Sequence, residues 1–335
     1  MRSAIVVHPN FDHAWPWVAD QMQRLWQQQG PVDFVRLPYG EVPAVHTVLE
    51  QPAQIARLVC FGAPLTAASL AVLTGLREVA VHLDTTDPLT TQLAAAGVQL
   101  IWQQSEGYWG QSVAEFALGL TIGALRRIPQ THHNILTDLR DWDYRQPDGV
   151  GRPSQRGIQF GDDDRFTNGT IAGKRVRIVG AGNIGSRYAS FCHFLGADVA
   201  VWDPFAPEPS FHRAGARREH FLERLVADAE IFAPMVPLTP QTAGLIKADQ
   251  IRALPTGCLV VTATRAKICD TAVLYERVLN DELALAADVF DHEPLELGHP
   301  LLGRPNVVHT PHNAGRTKDA NFQFAQMLAD QFRPR

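Results

Sequence analysis

The sequence predicts an α/β protein made of two doubly wound domains, each with a parallel sheet covered by helices on both faces. Its 335 residues exceed one ordinary domain, so two hydrophobic cores are expected. Short apolar runs alternate with longer amphipathic runs of helical spacing, which is the pattern of parallel strands joined by crossover helices. The alternation occurs twice, before about residue 102 and after about residue 174, which favours two such units.

The elements follow in chain order from this periodicity. In the first half, helices are predicted at Val18–Gln28 and Leu65–Leu76. The strands predicted there are Ala4–Val7, Asp33–Leu37, Arg57–Phe61, Glu78–Val81 and Gln99–Trp102. A long apolar helix follows at Ser112–Arg127, and residues 143–169 are then rich in Gly, Pro, Asp and Arg, which is typical of a loop. The strands predicted in the second half are Arg175–Val179, Asp198–Trp202, Ile231–Pro234, Gly257–Thr262, Leu285–Asp288 and Val307–Thr310.

Composition and charge exclude several classes of protein. Hydrophobic residues make up 45% and charged residues 19%, as in ordinary globular proteins. The formal charge of −5 favours neither a nucleic acid nor an anionic membrane as partner. The N-terminal apolar run Ala4–Val7 is too short for a signal peptide, and no stretch approaches the ~18 apolar residues of a membrane span. The four cysteines lie far apart without a C-x-x-C pair, so a reducing cytoplasm is the expected location.

The first functional motif lies where the second alternating pattern begins. Strand Arg175–Val179 runs directly into the sequence GAGNIG at 180–185, which has the spacing G-x-G-x-x-G and leads into a helix. In this motif Gly180 allows a tight turn, Gly182 lets the backbone approach a pyrophosphate, and Gly185 lets helix and strand pack closely. The N-terminus of the helix adds free N–H groups for the phosphates. A Rossmann-like dinucleotide-binding domain is therefore predicted.

The next strand ends at an acidic residue that bears on the choice of cofactor. Asp203 lies 18 residues beyond Gly185. An acid at this place accepts hydrogen bonds from the adenosine ribose and repels a 2′-phosphate, so NAD is favoured over NADP. Three arginines lie downstream and could offset that repulsion, namely Arg213, Arg217 and Arg218.

Three further side chains follow strands of the same half. Arg265, Glu293 and His312 each come shortly after a predicted strand, and ligands of open α/β sheets bind outside the carboxyl ends of the strands. The planar fork of an arginine suits a carboxylate, and a carboxylate beside a histidine fixes its tautomer and favours the imidazolium. His309 and His312 could instead form a metal pair, but a third ligand is missing, and the acidic run 162–164 is expected to be a solvated turn. No metal is therefore expected, and His309 is predicted to have a structural role.

With these motifs in place, the chain resembles the D-isomer-specific 2-hydroxyacid dehydrogenase family from about residue 55 onward. The matching stretches are VAEFALGLTIGALRR at 113–127, VGAGNIG at 179–185, MVPLTPQTAGLI at 235–246, TATRAKICD at 262–270, ADVFDHEP at 287–294 and TPHNAG at 310–315. Their order and spacing together are far more specific than any one of them. The first 50 residues match only as a strand and helix pattern.

The resemblance implies an NAD-dependent oxidoreductase that interconverts a D-2-hydroxy acid and its 2-keto acid. By this resemblance, Arg265 binds the substrate carboxylate, His312 is the acid/base and Glu293 orients it. Asp288 is implied to hydrogen-bond the nicotinamide carboxamide. The remaining residues implied to bind NAD are Gly180, Gly182, Asn183, Ile184, Gly185, Asp203, Pro237, Ala263 and Ala314. The small-molecule acid is the expected partner, and a homodimer is implied through the long helix at 112–127.

The resemblance also implies two Rossmann-like domains with the active site in the cleft between them. Residues 1–110 with 316–335 are assigned to the substrate domain, and residues 111–315 to the NAD-binding domain. The substrate domain departs most from the family, because the stretch VHLDTT at 81–86 lacks the expected glycines and the stretch 143–169 is long. The candidate substrate contacts there are Gly62, Ala63, His82, Tyr108 and Trp109. Tyr108 and Trp109 could equally fill the expected interface between the two domains.

Two departures in the second half are smaller. The family's Arg-Gly pair reads Arg265-Ala266 here, and its His-x-Gly-Gly reads His312-Asn313-Ala314-Gly315. A glycine-specific backbone angle at Ala266 would be strained. Two other functions stay open: a non-enzymatic protein that senses NAD(H), because some relatives act as corepressors, and a dehydrogenase of an oxyanion such as phosphite.

Overall fold

The computed structural model describes residues 2–40, 42–83, 87–101, 108–143, 145–146, 150–152 and 160–333. The chain divides into two compact units: unit 1 contains Met1–Trp109 and Arg316–Arg335, and unit 2 contains Gly110–Gly315. Each unit is built on a parallel sheet, with five strands in unit 1 and seven in unit 2. The predicted fold class, α/β with two Rossmann-like doubly wound domains, is confirmed.

The bounds of the elements are as follows. The strands are β1 Arg2–Val7, β2 Val32–Arg36, β3 Ile55–Phe61, β4 Glu78–Val81, β5 Gln99–Ile101, β6 Arg175–Val179, β7 Asp198–Trp202, β8 Arg217–Glu219, β9 Ile231–Pro234, β10 Leu259–Thr262, β11 Ala284–Ala287 and β12 Val307–His309. The helices are α1 Pro9–Ala14, α2 Val18–Gln27, α3 Ala67–Val72, α4 Pro88–Ala95, α5 Tyr108–Leu125, α6 Ile128–Asn134, α7 Asn183–Phe194, α8 Glu208–Arg213, α9 Leu222–Ala227, α10 Ala248–Ala253, α11 Thr271–Leu279 and α12 Lys318–Ala329. Among the helices described, none is both long enough and apolar enough to cross a membrane.

In unit 1 the strands lie in the order β2-β1-β3-β4-β5. All seven residues of β3 are buried, because helices cover both faces of the sheet. One face packs Val6 and Leu58 into a cluster with α3 and α4, and the other packs Phe61 against α2 and α12. Phe11 stacks on Phe61 with the ring centroids 4.3 Å apart. This packing fixes the carboxyl ends of β1 and β3 side by side.

In unit 2 the strands lie in the order β12-β11-β10-β9-β6-β7-β8. The strands β10, β11 and β12 are adjacent and in register, with Thr262 beside Ala287 and Ala287 beside His309. Their carboxyl ends therefore reach the same edge of the sheet at the same level. This places the loops that follow them, and the side chains those loops carry, next to one another.

Some predicted bounds were wrong, and each has a local cause. The helix predicted at Leu65–Leu76 begins only after Thr66, which caps it with a reciprocal hydrogen-bonded pair to Ser69, and it ends at Val72. The helix predicted at Ser112–Arg127 begins at Tyr108 and ends before Arg127, whose φ of 52° is left-handed. Strand β8 was not predicted, because its three residues RRE are all charged and it lies at the edge of the sheet.

The end of the long loop 143–169 is anchored in unit 2, where residues 160–169 are described. Phe166 is buried in the core of the unit, and the backbone N–H of Thr167 donates to the carbonyl of Gly257 at 2.8 Å. Asp163 accepts two hydrogen bonds from the Arg165 guanidinium, at 2.9 and 2.8 Å, which lowers the pKa of that carboxyl. The acidic run therefore forms a local ion pair. Residues 144, 147–149 and 153–159 lie outside the described residues.

Candidate active site

The glycine loop after β6 forms the cradle that the sequence predicts. Gly180 has a φ of +100°, and a Cβ there would lie 2.7 Å from the side chain of Val236. A Cβ on Gly185 would lie 2.1 Å from the carbonyl oxygen of Gly180, so only glycine allows β6 and α7 to pack this closely. At Gly182 an added Cβ would meet nothing within 4 Å. The space beside Gly182 is thus open where a pyrophosphate would approach the backbone.

Asp203 joins this loop to the end of β7. One of its carboxylate oxygens accepts the backbone N–H of Ala181 at 2.8 Å. The other accepts the N–H groups of Phe205 and Ala206 at 2.9 and 3.0 Å. The carboxylate is therefore held beside the glycine loop by backbone donors. Its partly exposed position suits an acceptor for ribose hydroxyls.

The first turn of α7 is open to an anion in the described part of the chain. Gly182 is the N-cap of α7, and no side chain of the described residues caps it. Asn183 and Ile184 form the first turn, so their N–H groups point toward the cradle. Of the other predicted contacts, Pro237 is exposed after β9, while Ala263 and Ala314 are buried after β10 and β12. The open cradle, the uncapped helix and the acid at Asp203 together fit a dinucleotide.

His312 and Glu293 form a direct pair at the carboxyl edge of the same sheet. The His312 Nδ1 lies 2.6 Å from the Glu293 Oε2, and about a third of each side chain is exposed. The other oxygen of Glu293 accepts the backbone N–H of Phe290 at 2.8 Å, which fixes the carboxylate. Because Nδ1 faces a carboxylate, it carries a hydrogen, and Nε2 is the ring nitrogen left to exchange a proton with a ligand.

Asp288, the residue that follows β11, holds the loop that carries His312. Its side chain is fully buried. One oxygen accepts the Thr310 hydroxyl at 2.6 Å and the Asn313 N–H at 3.0 Å, and the other accepts the Ala314 N–H at 3.0 Å. His312, between these donors, has a left-handed φ of 52°. The nicotinamide contact predicted for Asp288 stays a prediction, and the contacts seen give this residue a second role in shaping the loop.

Arg265 leaves β10 at the same edge and has an exposed side chain. Its Nη1 donates to the carbonyl of Thr264 at 2.7 Å, and the Thr264 hydroxyl donates to the carbonyl of Pro234 at 3.1 Å. Ala266 begins a short 3-10 turn without a positive φ, so alanine is not strained where the family has glycine. The structure thus brings His312 and Glu293 into contact and places Arg265 after the adjoining strand β10.

His309, three residues before His312, ends β12 with an exposed ring. The structural role predicted for His309 stays a prediction, and the exposed ring gives it no support from core packing. Among the described residues, no group of three His, Cys, Asp or Glu side chains is arranged to hold a metal ion. The two histidines therefore differ in their surroundings although they are neighbours in sequence.

The predicted substrate contacts in unit 1 lie at the carboxyl edge of its own sheet. Gly62 and Ala63 follow β3, and His82 follows β4 with an exposed side chain. Trp109 is partly buried and packs with Trp15, with the ring centroids 6.4 Å apart. The side chain of Tyr108 and residues 84–86 lie outside the described residues.

Sequence reasoning missed one residue at this edge of unit 1. His8 directly follows β1, and its backbone N–H donates to the carbonyl of Phe61 at 2.8 Å. The family motifs do not reach the first 50 residues, so they do not point to His8. A polar side chain at the end of a buried central strand was the available signal.

The fold and the site together define a dinucleotide-binding α/β protein with a histidine–carboxylate pair at the carboxyl edge of the nucleotide-binding sheet. Residues 118–314, more than half of the chain, match the sequence model of a protein family described as "D-isomer specific 2-hydroxyacid dehydrogenase, NAD binding domain". The chain belongs to this family, and NAD as the cofactor is confirmed.

Named relatives agree with this placement. A D-3-phosphoglycerate dehydrogenase of Archaeoglobus fulgidus is 30% identical over 220 residues, which are 65% of this chain and 38% of that protein. A glyoxylate reductase of Aeropyrum pernix is 28% identical over 225 residues, which are 67% of this chain and 63% of that protein. The chain thus matches less than two thirds of the length of these relatives. The TT0316 protein of Thermus thermophilus shares the fold with a TM-score of 0.64 at 22% identity, covering 98% of this chain and 94% of that chain.

Proposed function

We propose that the protein is an NAD-dependent oxidoreductase that interconverts a D-2-hydroxy acid and its 2-keto acid. The observation that carries this proposal is the contact of 2.6 Å between His312 and Glu293 in a chain of this family. A histidine held by a carboxylate through Nδ1 presents Nε2 for proton transfer, which is what reduction of a keto group requires beside hydride transfer. When bound, NAD supplies the hydride chemistry, and the protein supplies position and charge.

In this proposal, each of the three side chains at the carboxyl edge of the unit 2 sheet has a separate role. His312 donates a proton from Nε2 to the keto oxygen during reduction and takes it back during oxidation. Glu293 holds the ring and stabilises the imidazolium. Arg265 binds the carboxylate of the acid with its planar guanidinium, and its exposed side chain is free to turn toward a ligand. Gly62, Ala63 and His82 of unit 1 stay candidate contacts for a substrate acid.

The acid itself is small, and the relatives suggest its range. The names of the relatives refer to phosphoglycerate and glyoxylate, so they differ in both size and charge. Nothing among the described residues selects one of them. The proposal is therefore the class of 2-keto and 2-hydroxy acids.

A homodimer and a cytoplasmic location complete the proposal. Large apolar side chains are exposed along α6 and the turn that follows it, and the most exposed are Leu136 at 70% and Leu139 at 77%. Exposed apolar patches of this kind mark interfaces, and a second copy of the chain is the occupant that we propose. All four cysteines are buried free thiols, which suits a reducing compartment.

The test is a panel of 2-keto acids with NADH, applied to the wild-type protein and to His312→Gln. We expect turnover of at least one acid, and we expect His312→Gln to lower kcat by about 10²- to 10⁴-fold, the usual contribution of general acid–base catalysis. His309→Gln is the matched control, because this exposed ring lies three residues away, and it should leave kcat unchanged.

Full activity of His312→Gln would refute the role of His312. Failure of the wild-type protein to reduce any acid, despite tight NADH binding, would favour a sensor of NAD(H). Turnover of phosphite in place of all the keto acids would favour the oxyanion dehydrogenase.

A further inference from the structure

The sheet of unit 1 has a topological switch point between β1 and β3. In the strand order β2-β1-β3-β4-β5, β2 is added on one side of β1, whereas β3, β4 and β5 are added in turn on the other side. Open α/β sheets bind ligands in the crevice at this point, outside the carboxyl ends of the two strands. The residues that follow β1 and β3 here are His8 and Gly62. The fold therefore points to a ligand at His8, a residue that no family motif includes.

The imidazole of His8 is held in one tautomer. Its Nδ1 accepts the backbone N–H of Asn10 at 3.2 Å, which makes His8 the N-cap of α1. A ring nitrogen that accepts a hydrogen bond carries no hydrogen, so in the neutral ring the hydrogen is on Nε2. No described residue accepts a hydrogen bond from this Nε2, and the side chain is half-buried. His8 thus presents one oriented N–H donor at the end of β1.

Gly62 is shaped around this histidine. Its φ of +72° is left-handed, and a Cβ there would lie 3.2 Å from the His8 Cβ and 3.7 Å from the Phe11 Cβ. The missing side chain allows the β3 loop to pass directly against His8. The backbone N–H of Val45 donates to the carbonyl of Pro64 at 3.2 Å and holds the same loop from its other end. The donor at His8 and the loop of Gly62 are therefore arranged in advance.

The acidic charges near His8 are partly compensated within unit 1. Asp12 lies one helical turn beyond His8 and pairs with the Arg36 guanidinium at 2.6 Å. Arg36 also binds Asp20 at 2.8 Å. Arg36 therefore offsets one of these two carboxylate charges, and one negative charge of this group remains on the helical side of His8.

We infer that His8 is a substrate-binding residue, whose Nε2–H donates to the carboxylate of the 2-keto acid. The inference rests on the proposed function for its ligand class. It explains how unit 1 could bind an acid although the stretch at 81–86 has no glycine to expose backbone N–H groups. A side-chain donor at the switch point would take over that role.

The test uses His8→Asn, because asparagine is among the best N-caps and keeps the cap of α1 while it removes the Nε2–H. The probe is oxamate, an unreactive analogue of a 2-keto acid, titrated calorimetrically into the NADH-bound protein. Loss of a hydrogen bond to a charged group should weaken oxamate binding by about 10- to 100-fold. The dissociation constant of NADH and the Tm should not change. His8→Gln, whose amide N–H can reach the position of Nε2, should restore part of the affinity.

His13→Asn is the matched control, because this exposed histidine lies in the last turn of the same helix, and the variant should bind oxamate like the wild type. KM should rise by the same factor for glyoxylate and for hydroxypyruvate, since both carry the carboxylate. Wild-type oxamate affinity in His8→Asn would overturn the inference, and so would a rise in KM confined to hydroxypyruvate. A wild-type protein that neither binds oxamate nor reduces any acid would instead refute the proposed function.

Discussion

Asp288→Asn tests whether a buried carboxylate sets the position of His312, the histidine that we propose as the acid/base. The substitution keeps the size of the side chain but turns one acceptor oxygen into an N–H donor. In the better of the two amide orientations, the new donor faces the N–H of Ala314, while the remaining oxygen still serves Thr310 and Asn313. One charge-assisted hydrogen bond is lost, and two buried donors then face each other.

The expected cost follows from these contacts. A hydrogen bond to a charged group contributes about 1.5–3 kcal/mol, and a buried group left without a partner costs about 1–3 kcal/mol. Because both contributions concern the same Ala314 N–H, they overlap, and a total on the order of 2–4 kcal/mol is expected. The left-handed backbone of His312 adds about 1–2 kcal/mol that favours escape from this conformation. If the loop must regain its native form before each proton transfer, 2–4 kcal/mol corresponds to a fall in kcat of about 30- to 1000-fold.

The assay combines three measurements on wild type and variant. These are kcat with the best acid of the panel, the dissociation constant of NADH from its fluorescence, and the Tm. We expect a large fall in kcat with an NADH affinity changed by less than about threefold, since the loop makes its contacts within the protein. Thr310→Val is the graded control, because it removes one donor and keeps both backbone donors, and its effect on kcat should be smaller.

Two outcomes would refute this reasoning. An unchanged kcat would show that the loop does not depend on the carboxylate. A loss of NADH affinity as large as the loss of kcat would show that Asp288 acts mainly by binding the cofactor. That is the nicotinamide contact which the resemblance to the family implies for this residue.

Two further predictions concern stability and the cradle. The Arg177 guanidinium, buried in β6, donates a hydrogen bond to Asp228 at 2.7 Å and lowers the pKa of that carboxyl. The pair therefore stabilises the fold at pH values above the usual pKa of aspartate, and this stabilisation is lost as the pH falls through the lowered pKa. Asp228→Asn should therefore lower the free energy of unfolding by about 1–2 kcal/mol at pH 7, and the loss is small because Asp228 is partly exposed. In urea titrations, the difference in this free energy between variant and wild type should shrink below about pH 4. Gly185→Ala should lower the Tm because its Cβ meets the carbonyl of Gly180, whereas Gly182→Ala should keep the Tm and weaken NADH binding at least tenfold; equal Tm losses would contradict this division.

The sequence was most informative where a backbone requirement and a side-chain requirement coincide. The glycine loop was predicted because tight turn, close approach and helix packing each need glycine at a fixed spacing. The strands of unit 2 were predicted because burial on both faces makes them continuous apolar runs, and β6, β7 and β9 have the predicted bounds. β8 carries no such signal, since its residues are charged and its pairing depends on β7 alone.

The contacts of Asp288 and His8 could not be read from the sequence for a physical reason. The hydrogen bonds from the loop at 310–314 to Asp288 join residues more than 20 positions apart, and they depend on the register of β11 and β12. The position of His8 beside Gly62 depends on the order of β1 and β3 in the sheet. Periodicity predicts that strands exist, but it does not give their order. Functional contacts made across neighbouring strands therefore appear only in the fold.

The contrast between His309 and His312 shows what makes a histidine suitable for proton transfer. Both follow the same buried strand residues, and both are accessible. His309 still belongs to β12, so its ring direction is set by the pleat and has no carboxylate partner among the described residues. His312 lies past the strand, and its backbone is left-handed, a conformation that residues other than glycine disfavour. The hydrogen bonds to Asp288 hold the backbone in this conformation, in which the Nδ1 of His312 faces Glu293. The hydrogen bonds to the buried Asp288 carboxylate thus stabilise the orientation of the His312 ring against the backbone's preference for another conformation.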